Sequence, residues 1–296
     1  MNSLKYNLLL SAIIIGVLFF SFYTLTTKPQ IWIDEAKSIE LARNFLNFGK
    51  LNIQAAPGEF TDFPELLQST GYPVTVPLAI FFKIFGYGLV QARIYMLGWM
   101  LAALLAVFML GRRLFGAYSA ISAVLLIASF ASFYDSGRTV VGEIPGFLFL
   151  LVGLYFWLER SEYSWTGFWW GLSVVSKPSI FTWIIPTIIL IFLLERKDFL
   201  KRIFKIGAGM LPAALGWIFL VLENPLSSDS WINILNFYQN PYHASSLLEN
   251  VFTNLSRAPY STTLIYFSIL FFVVLAGWHW NNEAKLRKFY QFAIIY

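Results

Sequence analysis

The chain has no cysteine, two histidines in 296 residues and 12% charged residues. Without cysteine there are no disulfides, no thiolate nucleophile and no cysteine-metal site, and His243 and His279 alone exclude a histidine-rich metal centre. Neither a GxGxxG turn nor a Walker A loop is present, which removes the usual nucleotide-binding glycine loops. A soluble domain carries about 25% charged residues, so the shortage of charge excludes an ordinary soluble globular protein. Ten-residue stretches of alternating polarity are also missing, which excludes a membrane barrel.

What is present is apolar. The hydrophobic set makes up 58% of the residues, aromatics make up 19%, and the mean hydropathy is +0.64. Apolar runs separated by short polar joints predict spans at about 7–25, 91–111, 117–134, 144–158, 164–177, 179–194, 203–222 and 261–280. The reading is an all-α, polytopic helical membrane protein with about eight spans and juxtamembrane helices, since lipid leaves a helix as the remaining way to satisfy the backbone. The first run ends in Ser21-Phe22-Tyr23-Thr24, with no small-residue cleavage site, and reads as a retained anchor. Phe289 to Ile295 reads as the opening of a further span, so the chain is expected to be one transmembrane domain, 1–296, cut short at its carboxy terminus.

Val74 to Phe85 is apolar but only about 18 Å long as a helix, against a hydrocarbon core of about 30 Å, and is expected not to span. Charge agrees with that topology. It gathers 12 of the 21 Lys and Arg with 5 of the 16 acids on one face, net +7, and leaves net −2 on the other. The positive face is cytoplasmic. The formal net charge of +5 is therefore topological and gives no reason to expect a nucleic-acid partner. Two large loops, 26–72 and 223–260, then lie outside the cytoplasm, while a full span at 74–85 would put them on opposite sides. In the first loop, apolar residues recur at helical spacing from Asp34 to Gly49, which predicts a helix along the membrane surface. A second short amphipathic stretch is expected between the turns at Ala56-Pro57-Gly58 and Ser69-Thr70-Gly71-Tyr72-Pro73.

Three outer segments can carry chemistry. Asp34 and Glu35 follow the first span, where they serve either as helix caps or as a general base facing the outer leaflet. Pro145 can occupy the first helical position, so Glu143 falls at or just before a helix start and is again a cap or a functional acid, and Arg138 in the same short loop is functional by default at membrane depth. Lys177 precedes Pro178, so a lysine and a positive helix end converge there, unless the lysine simply snorkels. Carboxylates and cations at one interface point to a phosphorylated lipid substrate. A divalent cation bridging its phosphate to Asp34, Glu35 or Glu143 would be magnesium or manganese, which suit hard oxygen ligands; the residues alone leave metal dependence open. Asn254-Leu255-Ser256 matches a glycosylation acceptor, and His243 reads as a solvated loop residue.

The segments WIDEA, TGYP…IFFKIFG, QARIYMLG…LGRRLFG, SGRTVVGEIPGFLFLL and GLSVVSKPS, in that order between Ile31 and Pro186, resemble the GT-C glycosyltransferases of the dolichyl-phosphate-mannose protein mannosyltransferase and lipid A aminoarabinose transferase superfamily. The resemblance implies a membrane enzyme that moves a hexosyl or pentosyl group from a polyprenyl-phosphate carrier to an extracytoplasmic hydroxyl of a protein, lipid or glycan. It implies a multi-pass place in the plasma or inner membrane, with the active site facing outward. By resemblance Asp34 is the first acidic catalytic residue, Glu35 its neighbour and Glu143 the second acid. Lys177 then faces the carrier phosphate, and Arg138 and Arg93 flank the motifs as substrate-binding residues. Gly71-Tyr72-Pro73 departs from the Lys-Pro-Pro of the lipid A branch. On the residues, Asp34 would take the acceptor proton while Lys177 and Arg138 stabilise the departing phosphate, with inversion. The alternatives are a transporter or flippase for a lipid-linked sugar, which needs ionisable residues at mid-membrane, and a noncatalytic assembly partner in the envelope.

Overall fold

The computed structural model describes residues 3–62, 69–130, 133–134, 137–196, 198–222, 225–239, 246, 252 and 262–296. His243, the Asn254-Leu255-Ser256 triplet and Asp135 lie outside the described residues. So do 63–68, in the second amphipathic stretch, and most of the 223–260 loop.

Helix α1 (Ser3–Tyr23) covers most of the first expected span, 7–25, and α2 (Ile33–Phe48) is the helix of the first loop. The latter opens one residue before the expected Asp34, after an extended Trp32 and without a side-chain cap, so Asp34 is a first-turn residue and not the cap. Gly49 closes it as expected, at φ 70°, where a side chain would be strained. Beyond it Gln54–Ala56 and Glu59–Phe60 pair as a short antiparallel hairpin, β1 and β2, around Gly58. Asn52 pins the hairpin, donating to the Thr61 carbonyl at 2.8 Å, while Asn44 of α2 donates to the Asn52 carbonyl at 2.8 Å.

Next come α3 (Tyr72–Phe85) and α4 (Leu89–Ser129). At 14 residues α3 is about 21 Å long and too short to cross, in line with the sequence reading. The 41 residues of α4 cover the expected span 91–111 and the second expected span as far as Ser129, and break at Gly116, whose φ of 85° turns the chain. Helix α5 (Glu143–Tyr155) runs into a π-helical turn at Phe156–Arg160. Then α6 (Tyr163–Ser176), the single turn α7 (Pro178–Phe181), α8 (Ile184–Glu195) and α9 (Phe199–Val221) follow. The second loop contributes α10 (Ser228–Gln239), which the sequence reading leaves as loop, and the chain continues through α11 (Thr262–Trp280) and α12 (Ala284–Ile295).

Among the described residues four helical segments are long and apolar enough to cross a membrane: Leu4–Tyr23, Leu89–Ser129, Pro178–Glu195 and Phe199–Val221. The four do not map one to one on the expected eight: α4 holds two of them, 144–158 and 164–177 fall on helices of 13 and 14 residues, and Ser268–Trp280 is a shorter apolar helix within the last.

Those short helices are held by small residues, as in other membrane bundles where backbones must approach closely. A Cβ on Gly167 would come within 2.1 Å of the Ile206 carbonyl oxygen, and one on Gly209 within 2.1 Å of the Ser164 oxygen, so α6 and α9 pack backbone to backbone. On the other side of α6, Trp170 lies against Gly153 and donates to the Leu150 carbonyl at 3.2 Å, and Ser173 donates to the Gly146 carbonyl at 2.7 Å. Trp157, Trp170, Phe192 and Phe292 meet ring against ring in the main core. A second, smaller core joins Ile39 and Ala42 of α2, Val74, Leu78, Ala79 and Phe82 of α3, Ala92 and Met96 of α4, and Val140 of the loop before α5. Around this smaller core the candidate site is built.

Candidate functional site

The site begins with three backbone segments pressed together. Gly71, just before α3, donates its N–H to the Ser176 carbonyl at 3.0 Å, and a Cβ there would fall 1.7 Å from the Val175 oxygen. Gly142, just before α5, approaches the same stretch from another side, and its Cβ would fall 1.9 Å from the Ser176 oxygen. Only glycine fits at either contact. Consequently the starts of α3 and α5 and the end of α6 converge, and they bring Tyr72, Glu143 and Lys177 to one place.

There the Lys177 Nζ lies 3.1 Å from Glu143 Oε1. Lys177 is 8% exposed, and Glu143 is the first residue of α5, where a negative charge suits the helix end. Its second oxygen, Oε2, is buried and has no hydrogen-bond partner among the described residues. Pro145 stands third in the helix and not first as expected, a position whose N–H is still an orphan in any helix. Tyr72 donates to the Ala213 carbonyl at 3.2 Å, tying α3 to α9, and burial pushes its phenol above the ordinary range, so it stays neutral.

A second ion pair is built on α2 and α4. Arg93 grips Glu35 with two parallel hydrogen bonds, Nε to Oε1 at 2.9 Å and Nη2 to Oε2 at 2.8 Å. Its remaining hydrogens go to the carbonyls of Leu25 at 2.7 Å and Pro29 at 2.9 Å, so one side chain locks the chain leaving α1 onto both helices. Both partners are fully buried. The neighbouring Asp34 is half-buried, and its carboxylate has no ion-pair or hydrogen-bond partner among the described residues.

Arg138 takes a third place. It donates to Thr24 Oγ1 at 2.7 Å and to the Ser21 carbonyl at 3.3 Å, and lies 4.6 Å from the centre of the Tyr134 ring. It is 1% exposed and clamps the loop before α5 onto the end of α1. Of the six residues singled out by sequence, the structure therefore joins Glu143 with Lys177 and Glu35 with Arg93. Arg138 is placed on α1, and Asp34 stands without a partner. The two pairs flank the smaller core, with Arg93 adjoining Ala92 and Glu143 three residues beyond Val140. Sequence reasoning reads Gly71 only as part of a turn and gives Gly142 no role, although a glycine just before each helix is the available sign of a close approach.

Among the described residues no three His, Cys, Asp or Glu side chains are grouped to hold a metal ion. Glu35 is committed to Arg93, and Glu143 gives one oxygen to Lys177. The carboxylates do not fit a metal site built by protein alone.

Fold and site together define a multi-pass helical membrane protein of the GT-C type, with its polar residues collected at the ends of short helices. The chain belongs to the dolichyl-phosphate-mannose-protein mannosyltransferase family, whose model matches residues 74–221, half of its length. Among solved structures it is similar to ArnT from Cupriavidus metallidurans bound to undecaprenyl phosphate, with a TM-score of 0.68 and 17% identity over 99% of this chain and 55% of that one. The apo state of the same protein gives 0.56 and 18% over 82% of this chain and 45% of the other. The chain thus spans about half the length of these structures, and the likeness is one of fold. No curated protein sequence matches it.

Proposed function

We propose that the protein is a glycosyltransferase that moves a sugar from a polyprenyl-phosphate carrier to an acceptor hydroxyl outside the cytoplasm. The observation that carries this reading is the Lys177–Glu143 pair: a nearly buried ammonium faces a carboxylate with one oxygen unsatisfied, where three helix ends meet. A cation held this way in a low-dielectric surround is worth far more to an arriving phosphate than one in water. Family membership and the solved relative bound to undecaprenyl phosphate support the carrier class.

In the proposed reaction the acceptor oxygen attacks the anomeric carbon and gives its proton to Asp34. The bond from that carbon to the phosphate oxygen breaks, and the electron pair leaves with the polyprenyl phosphate, which Lys177 neutralises. A single displacement inverts the anomeric centre. Glu35 and Arg93 are positioning residues here, because both are buried and spend their polar atoms on protein partners, and Arg138, also buried, holds Thr24 and the Ser21 carbonyl. Gly71 stands where the lipid A branch has a lysine, so the start of α3 offers an acceptor a glycine and the neutral Tyr72 in place of that cation.

The domain reading that goes with this is one transmembrane unit, 1–296, with the 26–72 and 223–260 loops on the outer side of a plasma or inner membrane. The chain has no cysteine, so a single engineered one reports sidedness directly: Glu59→Cys in intact cells should react with an impermeant maleimide, and protection until lysis would put the loop inside. The activity test is transfer of label from a panel of radiolabelled polyprenyl-phosphate sugars into membrane acceptors. Asp34→Asn should lose about 10²- to 10⁴-fold in rate, the usual share of positioned proton transfer. Lys177→Ala should also fail. Equal labelling in wild type and both variants rejects the assignment and leaves transport of the lipid-linked sugar as the reading.

A further inference from the structure

Away from the candidate site, at the other end of α4, lies a cleft of about 660 Å³ between α4 and α5. Arg112 is 19 residues beyond Arg93 on α4, about 28 Å along the helix axis and close to the full hydrocarbon thickness. The cleft therefore opens on the opposite membrane face from the Glu35–Arg93 and Glu143–Lys177 pairs. Its walls are apolar, with Ala106 and Met109 on α4 and Leu151 and Val152 on α5, and its mouth carries Arg112 and Arg113.

The arginines are arranged around one ring. The Arg113 guanidinium sits 5.5 Å from the centre of Tyr155, and Arg160 donates from Nε to the Tyr155 hydroxyl at 3.3 Å. The nearby Glu159 is engaged elsewhere, accepting from Lys285 Nζ at 2.7 Å. Neither Arg112 nor Arg113 has a carboxylate partner among the described residues. An apolar slot of helix depth ending in unneutralised guanidiniums has the chemistry of a two-part ligand, an alkyl chain carrying an anionic headgroup. Basic pockets between transmembrane helices on the cytoplasmic side take lipids of that kind.

We propose that the α4–α5 cleft is a binding site for an anionic phospholipid of the leaflet opposite the candidate active site. The acyl chain lies between Met109 and Val152, and the phosphate lies against Arg112 and Arg113. This inference does not depend on the sugar-transfer reading. Native mass spectrometry of the full chain, in detergent with equal amounts of phosphatidylglycerol and phosphatidylcholine, tests it. Wild type should retain the anionic lipid over the zwitterionic one by at least tenfold, since each basic residue near the surface is worth about fivefold. The Arg112→Gln/Arg113→Gln double variant should bind both lipids alike, and Arg112→Lys/Arg113→Lys should restore the preference. Val152→Trp, which fills the slot and leaves the charges, should lower occupancy about fivefold. Lys201→Gln, an exposed cation outside the cleft, should behave as wild type. Equal retention of the two lipids by wild type overturns the proposal, as does an unchanged preference in the double Gln variant or an equal loss in Lys201→Gln.

Discussion

The two ion pairs around the smaller core differ in what each leaves over. Glu35 and Arg93 have no exposed surface, both carboxylate oxygens are taken, and the guanidinium also holds the backbone carbonyls of Leu25, Lys28 and Pro29 in the segment leaving α1. Glu143 and Lys177 make one contact, keep some exposure, and leave an oxygen unsatisfied. The first arrangement has nothing with which to greet a ligand; the second has an unspent charge-bearing atom beside a cation. A saturated pair fixes geometry, and an unsaturated one is available for chemistry, although the residue types are the same.

Five substitutions, two of them combined in a double variant, sharpen that contrast through thermal unfolding in detergent. Arg93→Met strands a buried carboxylate and should cost about 3–5 kcal/mol, while the Arg93→Met/Glu35→Met double should recover most of it, because the penalty is the unpaired charge and not the missing attraction. If the double is as unstable as the single, the pair is more than an anchor. Gly142→Ala comes next, at about 2 kcal/mol or more, since its Cβ meets a backbone oxygen that cannot swing aside. A wild-type melting temperature there would contradict the close approach of α5 to the end of α6.

Lys177→Gln should cost only about 1 kcal/mol in stability, because the partly exposed Glu143 can hydrate. It should weaken carrier binding about tenfold to a hundredfold, the worth of a hydrogen bond to a charged group. An effect on stability with carrier affinity unchanged would move Lys177 into the anchoring class. Smallest is Glu40→Gln, which removes an exposed i,i+3 contact with Arg43 at 3.1 Å and should change stability by about 0.3 kcal/mol. A shift above about 1 kcal/mol would show that the surface of α2 carries a load its exposure conceals.

Much of this was legible in the sequence because it depends on local pattern. Hydropathy located α1, α4, α8 and α9, and the helical spacing after Asp34 with Gly49 behind it located α2, since solvation and backbone entropy act residue by residue. The shortness of α3 follows from its apolar run in the same way. The site residues could be singled out as charges at membrane depth, but their pairing could not be read. Glu35 and Arg93 are 58 positions apart, and their meeting depends on how α2 packs against α3 and α4. Arg138 and Thr24 are 114 apart and meet because the loop before α5 lies on the end of α1.

The sequence by itself determined that this chain is a bundle of membrane helices with a few ionisable residues gathered at helix ends, because the cost of exposing polar backbone and charge to lipid is set locally and is large. Tertiary structure alone decided which of those charges are spent. Gly71 and Gly142 admit the Ser176 carbonyl where no side chain would fit, and that contact sets Glu143 against Lys177. The packing of α2 on α3, beside α4, closes Arg93 around Glu35 and leaves Asp34 without a partner among the described residues. Whether a charge is saturated depends on which backbones can touch, a property of volumes in contact that adjacent residues along a chain do not encode.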